Sequence, residues 1–200
     1  MTALRKTPVA LNPDAAPFVI RAERAPDVVA REALLDACFG ANRHARTCQR
    51  LRDGRTPAEG LAFSAVQNGR LVGTLRLWHV SAGGTSALVL GPLAVDPLCR
   101  KLGVGTALMQ HALAAAKARG HGAVLLLGDA PYYARFGFSA LKTGELSLPG
   151  PFERDRLLGL ELRDGALDGA WGMIASTGVS VLKASTARAG KALASIPHAA

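Results

Sequence analysis

The chain has 200 residues, of which 49% are hydrophobic and 20% are charged, a composition typical of a globular domain and not of a disordered segment. No apolar run approaches the ~20 residues of a membrane-spanning helix, and residues 1–17 lack the apolar stretch of a secretory signal. The net charge of +9 comes from scattered arginines, which disfavours nucleic-acid binding and indicates either a solvated surface or a field that attracts a polyanionic ligand.

The cysteines indicate the compartment. Cys38, Cys48 and Cys99 lie in dissimilar surroundings and form no Cys-x-x-Cys pair. An odd number at such spacing argues against a disulfide framework and against a zinc site. We therefore expect a protein of the reducing cytoplasm that binds no metal.

The N-terminal part of the chain predicts one strand and two helices. Residues 1–17 are expected to be a flexible segment. An apolar run over residues 18–22 predicts the first strand, and Asp27, which follows a proline, is placed to cap a helix. A second, more basic helix is predicted over residues 43–52, where it ends at an Asp-Gly pair.

A β-hairpin and a long buried strand are predicted next. Asn68-Gly69 separates β-rich runs at residues 61–66 and 71–80, and Asn-Gly is the favoured pair of a two-residue hairpin turn. A glycine turn at residues 82–85 leads into an apolar run over residues 87–95. This run predicts a central strand that is buried on both faces.

A strand–helix–strand unit follows the hairpin. Apolar residues recur at helical spacing from residue 104 to Arg119, and the apolar run at residues 123–127 predicts another buried strand. The combination of a hairpin and this unit predicts a mixed α/β fold.

Shorter elements and a tail complete the chain. A short helix is predicted within residues 128–137, and late strands at residues 145–148 and 157–162. From Ser176 onward the chain is rich in Ala, Ser, Thr and Lys without a clear core face, so we expect a mobile tail over residues 176–200. The folded domain is accordingly predicted to cover residues 18–175.

The loop between the central strand and the long helix has the features of an anion site. A helix N-terminus presents unpaired backbone N–H groups and the positive end of the helix dipole. Gly103 and Gly105 would let an anion approach the backbone, Arg100 and Lys101 add charge, and the Thr106 hydroxyl is a further donor. The glycine spacing is neither that of a Walker loop nor that of a dinucleotide fingerprint, and a plain tight turn would also account for it.

Two segments resemble signature motifs of the GNAT family of acetyltransferases. Residues 100–105, Arg-Lys-Leu-Gly-Val-Gly, resemble the family's Gln/Arg-x-x-Gly-x-Gly/Ala motif, and residues 93–97 resemble the segment before it. Residues 132–138, Tyr-Tyr-Ala-Arg-Phe-Gly-Phe, are similar to the closing motif after the fifth strand, especially in small single-domain predicted members of the family. The resemblance extends over residues 18–162 by the order of elements and is specific over residues 90–138.

The resemblance implies a fold and a cosubstrate. The fold is a twisted, mostly antiparallel sheet of about six or seven strands flanked by helices, with strands 4 and 5 splayed apart. The cosubstrate is acetyl-CoA, whose pantetheine arm pairs with strand 4 and whose pyrophosphate lies on the following helix N-terminus. The corresponding residues here are Leu93, Ala94, Val95, Arg100, Lys101, Leu102, Gly103, Val104, Gly105 and Thr106. The family often forms dimers, so a homodimer is possible.

The resemblance also implies a tyrosine that protonates the leaving thiolate. Tyr133 is the first candidate and Tyr132 the second, because a phenol with a pKa near ~10 can donate to a thiolate with a pKa near ~8.5. A tyrosine that merely packs in the core is the alternative. Residues 86–92 of the fourth strand carry no carboxylate, so the general base stays unassigned. Asp129 is expected to cap the short helix, and His79 could act through a water molecule.

The acceptor groove of such folds is bordered by the first two helices and by strands 3 and 4. This placement makes His44, Arg46, Trp78 and His79 candidate substrate-lining residues. Arginines there could bind an acidic or phosphorylated substrate, or could form an exposed basic face. We predict acetyl transfer to a small-molecule or peptide amine by direct attack, with a noncatalytic acyl-CoA-binding or regulatory module as the alternative. The identity of the amine is left open.

Overall fold

Eight strands and three α-helices follow one another along residues 17–181, the part of the chain that the computed structural model describes. They are β1 (Val19–Ala22), α1 (Asp27–Phe39), β2 (Ala62–Gln67), β3 (Arg70–Ala82), β4 (Thr85–Val95), α2 (Val104–Ala118), β5 (Ala123–Leu127), α3 (Ala130–Ala134), β6 (Leu146–Ser147), β7 (Leu157–Glu161) and β8 (Gly172–Ser176).

The strands form one mostly antiparallel sheet, as predicted. Its main order is β1-β2-β3-β4-β5-β7. β8 pairs with the C-terminal end of β3, and β6 pairs with β8. β4 and β5 are parallel because α2 returns the chain to the same edge before β5 begins. The sequence did not predict β8, since Ile174 alone among its residues is buried and no alternating pattern marks the strand.

β4 and β5 separate after a short contact, which is the predicted splay. They pair only through Leu88 with Val124 and Val89 with Leu125, whereas β4 stays paired with β3 as far as Val95. β4 bulges where the strands part. There Gly91 and Pro92 lie opposite the single residue Arg76 of β3, and the φ of Gly91 is 130°, a conformation that favours glycine.

The hairpin turn is the one that the sequence predicts. Asn68 and Gly69 join β2 to β3 with φ angles of 50° and 75°. Two successive residues at positive φ are the requirement of a type I′ turn, whose twist matches that of the strands it connects. β3 then runs for 13 residues, long enough to pair with β2, β4 and β8.

The predicted cap of α1 is wrong in detail. Pro26 is the N-cap residue and Asp27 is the first residue of the helix. The Asp27 carboxylate instead accepts a hydrogen bond from the Arg24 amide at 2.8 Å and pairs with Arg21 at 2.6 Å. Asp27 therefore closes the turn that precedes the helix and ties that turn to β1.

The predicted basic helix over residues 43–52 is also wrong. Residues 41–52, which we call the 3-10 segment, form two short 3-10 turns at Ala41–Ala45 and Thr47–Leu51, and Arg46 between them is extended. Thr47 and Leu51 are the only fully buried residues of this segment, so no continuous apolar stripe supports an α-helix.

Both faces of the sheet are covered. α2 packs on one face through Val104, Leu108, Met109, Ala112 and Ala116. A second cluster covers part of the other face and includes Leu51, Trp78, Val89, Leu125, Leu146, Leu157, Leu167 and Ile174. Between residues 17 and 181, no helix has the length and apolarity to cross a membrane.

The ends of the predicted domain lie partly outside the described residues. Residues 1–16 of the predicted flexible segment and residues 182–200 of the predicted tail fall there. The first residues of the predicted tail hydrogen-bond to the folded domain. The Thr177 amide donates to the His79 carbonyl at 3.1 Å, and the Val181 amide donates to the Gly54 carbonyl at 2.9 Å.

Candidate functional site

A cleft of about 670 Å³ opens where β4 and β5 separate. Its base is formed by residues 90–93 of β4 and by residues 126–128 at the end of β5. The 3-10 segment forms one wall, and residues 151–156 together with the two tyrosines of α3 form the other. The cleft therefore lies between elements that are far apart in sequence.

The N-terminus of α2 adjoins this cleft and is open. Lys101 and Gly103 have positive φ angles of 68° and 80°, which curl the loop into the helix start. The first hydrogen bond of the helix runs from the Ala107 amide to the Gly103 carbonyl at 2.9 Å. The amides of the three residues between them have no carbonyl one turn earlier, as at any helix start. They are available to an anion.

Four predicted residues converge at this helix end. A Cβ on Gly105 would lie 3.1 Å from the Tyr132 hydroxyl oxygen and 3.5 Å from a methyl carbon of Val95. The Thr106 side chain also hydrogen-bonds to the Tyr132 hydroxyl. The structure thus brings the end of β4, the first turn of α2 and the first tyrosine of the closing motif together.

The predicted strand residues 93–95 lie on the part of β4 that β5 leaves unpaired. Leu93 lines the cleft. The Ala94 side chain packs beneath α1 with Leu34 and Leu35, and the Val95 carbonyl accepts a hydrogen bond from the Cys38 thiol at 3.4 Å. Their side chains belong to the core, so any ligand on this edge would contact the backbone.

Tyr133 lines the cleft as a protonated phenol. Its ring lies against Gly128, where a Cβ would come within 2.2 Å of the ring, so glycine is required for this placement. The ring also meets Tyr132 and Phe138 edge-on, at centroid distances of 4.9 Å and 6.0 Å. Burial, followed by the nearby Tyr132 and Asp129, raises the pKa of Tyr133 to about 12.

Tyr132 differs from Tyr133 in its contacts. Burial raises its pKa, and the Arg135 charge and the hydrogen bond with Thr106 act in the opposite direction. The Arg135 guanidinium lies 4.5 Å above the Tyr132 ring and its Nε donates to the Tyr132 carbonyl at 2.9 Å. The Tyr132 hydroxyl is therefore held at the helix end.

Asp129 caps α3, as predicted. Its carboxylate accepts a hydrogen bond from the Tyr132 amide at 3.2 Å. The cap engages one oxygen of that carboxylate, and Asp129 also lines the cleft. In the part of the chain from residue 17 to residue 181, no cluster of three or more His, Cys, Asp or Glu side chains could hold a metal ion.

The predicted acceptor-lining residues occupy three different places. Arg46 lines the cleft and lies 5.0 Å above the Phe39 ring. His44 and Trp78 line a smaller cavity of about 100 Å³ between α1 and the sheet, where the indole N–H of Trp78 donates to the Gly91 carbonyl at 2.6 Å. His79 lines neither cavity, because neighbouring strand residues point to opposite faces, and its ring lies 5.4 Å from that of His121.

Sequence reasoning missed several charged residues of the cleft. Arg52 belongs to the predicted basic helix, but nothing in the pattern distinguished it from its neighbours. Glu153 and Arg156 lie in a loop with no recognisable motif, and they reach the cleft because β7 pairs with β5. Their only sequence signal is their position before a late strand.

Comparisons with known proteins agree with this geometry. An Escherichia coli (strain K12) protein named "Uncharacterized N-acetyltransferase YhbS" is 29% identical over 159 residues, which cover 78% of this chain and 95% of the relative. The structure of E. coli YhbS in complex with CoA matches with a TM-score of 0.70 at 28% identity, over 82% of this chain and 92% of that chain.

A second structure and a family profile complete the comparison. A GNAT family acetyltransferase from Brucella melitensis, in complex with acetyl-CoA, matches with a TM-score of 0.54 at 25% identity, over 77% of this chain and 100% of that chain. The profile of the Acetyltransferase (GNAT) family matches residues 29–138, more than half of the chain. That match contains the open helix end, the free edge of β4 and both tyrosines, and the chain belongs to the GNAT family of acetyltransferases.

Proposed function

We propose that this protein transfers the acetyl group of acetyl-CoA to an amine by direct attack, in the cytoplasm. The observation that carries the proposal is that the unpaired edge of β4 and a protonated tyrosine line one cleft, and that the N-terminus of α2 adjoins that cleft at Tyr132. Family membership and the CoA and acetyl-CoA bound in two related structures support the choice of donor.

The backbone would provide most of the donor binding. The amides of the first turn of α2 would hold the pyrophosphate, and the exposed Arg100 and Lys101 beside them would add positive charge. The unpaired edge of β4 at residues 93–95 would bond the pantetheine arm as an additional strand would. Gly105 has a packing role here, because a Cβ on it would crowd the Tyr132 hydroxyl and Val95, and glycine therefore lets Tyr132 lie against the helix end.

The reaction needs a neutral amine and a proton donor. The amine nitrogen attacks the thioester carbonyl carbon, and a β4 amide stabilises the oxyanion that forms. The C–N bond is then complete, the C–S bond breaks, and the amine loses one proton to solvent. Tyr133 donates its phenolic proton to the departing thiolate and regains a proton from solvent. The products are the N-acetylated amine and CoA with a free thiol.

Tyr133 is suited to this role by its burial. Its raised pKa keeps the phenol protonated throughout the neutral range. The same dry surroundings disfavour a thiolate, so they raise the proton affinity of the leaving group as well. Tyr132 remains the second candidate, although its hydroxyl is bonded at the helix end rather than left free.

The second candidate function is a noncatalytic acyl-CoA-binding module. The observation in its favour is that β4 offers no carboxylate to the cleft and that Asp129 is engaged through one oxygen as a helix cap. Release of a free thiol from acetyl-CoA that depends on an added amine would support the transferase. Tight CoA binding without any such release would support the binding module.

The proposal is tested by calorimetric titration of acetyl-CoA into the wild-type protein and Gly105→Val. We expect micromolar binding that weakens at least about tenfold in the variant, because the added side chain would meet Tyr132 and Val95 and displace the first turn of α2, whose amides would hold the pyrophosphate. Gly144→Val is the matched control, since a Cβ at Gly144 meets nothing within 4 Å and the residue lies outside the cleft. Failure of the wild-type protein to bind acetyl-CoA would overturn the proposal.

A further inference from the structure

The Arg52 guanidinium is a largely buried charge without a counter-ion. It ends the 3-10 segment beside the bulge of β4, where its Nη1 lies 3.6 Å from the position that a Cβ on Gly91 would take. Its Nε is completely buried and donates no hydrogen bond. Within residues 17–181, no carboxylate forms an ion pair with it. Burial lowers its pKa.

Two other arginines of the cleft already have carboxylate partners, and a third, Arg46, is exposed to solvent. Arg43 pairs with Glu32 and, through its Nε, with Asp36 at 2.6 Å. Arg156 lies 3.4 Å from Glu153. Their charges are therefore compensated within the protein, and that of Arg52 is not.

The carboxylate nearest to Arg52 in sequence favours its charged form but makes no ion pair with it. Asp53 is exposed and accepts a hydrogen bond from the Gln49 side chain at 2.6 Å. Arg43 and Arg46 place like charges near Arg52 and disfavour its charged form further. A guanidinium in such surroundings favours an anion from outside the chain.

The position of Arg52 separates it from the predicted pyrophosphate site. Arg52 adjoins Gly91, whereas the helix end adjoins Val95, four residues farther along β4. At ~3.3 Å per strand residue the two ends of the cleft are roughly 13 Å apart. The cleft nevertheless includes both Arg52 and Tyr133 in one continuous space. An anion bound at Arg52 would thus lie in the same cleft as Tyr133 and away from the helix end.

We propose that the acceptor is a small amine that also carries a carboxylate or phosphate group, and that Arg52 binds this anionic group. The planar guanidinium presents two parallel N–H donors that match either group. The inference rests on the proposed acetyl transfer, because it places the amine between Arg52 and Tyr133. In this inference Arg52 selects the acceptor and takes no part in the transfer of the acetyl group.

The test compares amines with and without an anionic group, and kcat/KM is expressed per neutral amine because the two members of a pair differ in amine pKa. The pairs are glycine with glycinamide, alanine with alaninamide, and phosphoethanolamine with ethanolamine, so that carboxylate and phosphate are examined separately. We expect kcat/KM of the wild-type enzyme to be at least about tenfold higher for the anionic member of one class of pair, as for a charge-assisted hydrogen bond. In Arg52→Gln this ratio falls to about one, chiefly through KM.

Two further variants show whether a lower kcat/KM ratio in Arg52→Gln is specific to the Arg52 guanidinium. Arg50→Gln is the matched control, because Arg50 lies in the same 3-10 segment but is exposed and donates to the Pro149 carbonyl at 2.6 Å outside the cleft. Its ratio is expected to equal that of the wild-type enzyme. Arg52→Lys keeps the charge and loses the planar fork, so an intermediate ratio is expected even if the glutamine variant folds poorly.

A binding measurement separates this inference from the proposed function. The same compounds and inorganic phosphate are titrated into the CoA-saturated protein, where no transfer occurs. Binding of the anionic compounds that Arg52→Gln abolishes, without acetylation of any amine, would uphold the Arg52 site and refute the transferase. Acetylation of the neutral and anionic members at equal kcat/KM would refute the Arg52 site and uphold the transferase. No binding of any anion to wild-type protein would also overturn the inference.

Discussion

Arg31 and Arg52 line the same small cavity between α1 and the sheet, but their surroundings differ. Arg31 pairs with Glu23 at 2.6 Å and with Glu32, and Glu23 also pairs with Arg76 of β3. Arg52 has no carboxylate partner anywhere in residues 17–181. The charge of Arg31 is thus compensated by carboxylates of the protein, whereas we expect the charge of Arg52 to be compensated by a bound anion.

The difference separates a structural charge from a binding charge. The cluster of Arg31, Glu23 and Arg76 ties α1 to the turn after β1 and to β3, and Glu23 is the carboxylate that the two arginines share. Arg52 connects no elements through an ion pair, so its burial lowers stability until an anion arrives. Proteins commonly tolerate such a cost at functional sites.

The largest effect is expected from Glu23→Gln. The substitution removes the charge between Arg31 and Arg76, so that Arg76 loses its carboxylate partner and Arg31 keeps Glu32 alone. The free energy of unfolding should fall by about 3–5 kcal/mol, measured by urea unfolding. Glu153→Gln is the control, because that carboxylate is 76% exposed and its loss should cost less than about 1 kcal/mol. Equal effects for the two would remove the distinction between a buried cluster and a surface pair.

A second prediction tests whether the cleft beside Arg52 is catalytic. Tyr133→Phe keeps the ring packing against Gly128 and removes the proton donor. We expect kcat to fall about 10²-fold or more with little change in acetyl-CoA affinity, measured by thiol release and calorimetry. Tyr132→Phe should lower kcat less. A larger loss in Tyr132→Phe would transfer the acid role to Tyr132.

Arg52→Met is predicted to act in the direction opposite to Glu23→Gln. Replacement of a buried, uncompensated charge by an apolar side chain of similar length should raise the free energy of unfolding by about 1 kcal/mol. Thermal and urea unfolding without ligand measure this change, with Arg31→Met as the destabilising counterpart. A loss of stability as large as that of Arg31→Met would place Arg52 among the structural arginines.

The smallest effect concerns acid stability at the start of α1. The hydrogen bonds from Arg21, and then those from the Arg24 amide and Ser64, hold the pKa of Asp27 far below its usual range. Its contribution is therefore complete above the unfolded-state pKa near ~3.9 and is lost as the pH falls below that value. Urea unfolding between about pH 5 and about pH 2 should show a shallower decline for Asp27→Asn than for the wild-type protein. Parallel declines would contradict this role of Asp27.

Local requirements explain which predictions succeeded. The Asn68-Gly69 turn and the loop at Gly103 both need positive φ angles, and glycine or asparagine at such positions can be recognised without the rest of the fold. The long α2 and the central β4 were predicted for the same kind of reason, since their apolar spacing extends over whole elements. The cofactor end of the cleft is built largely from these local features.

The acceptor end has no comparable local signal. The 3-10 segment was predicted as an α-helix, because its hydrogen bonds to residues 149 and 151, about a hundred positions away, do not appear in any local pattern. Trp78 and His79 were both chosen from adjacent positions, although a strand sends neighbouring side chains to opposite faces. Only the packing of the sheet determines that Trp78, and not His79, lines the smaller cavity between α1 and the sheet.

The amino-acid sequence by itself therefore determined the family, the mixed sheet and the open helix end, because backbone conformation and apolar spacing are local properties of the chain. The tertiary structure alone decided that Arg52 stays without a partner, that Arg31 does not, and that both lie beside one cavity. Compensation of a charge depends on distances between side chains from separate elements, and those distances exist only after the sheet and its helices have packed.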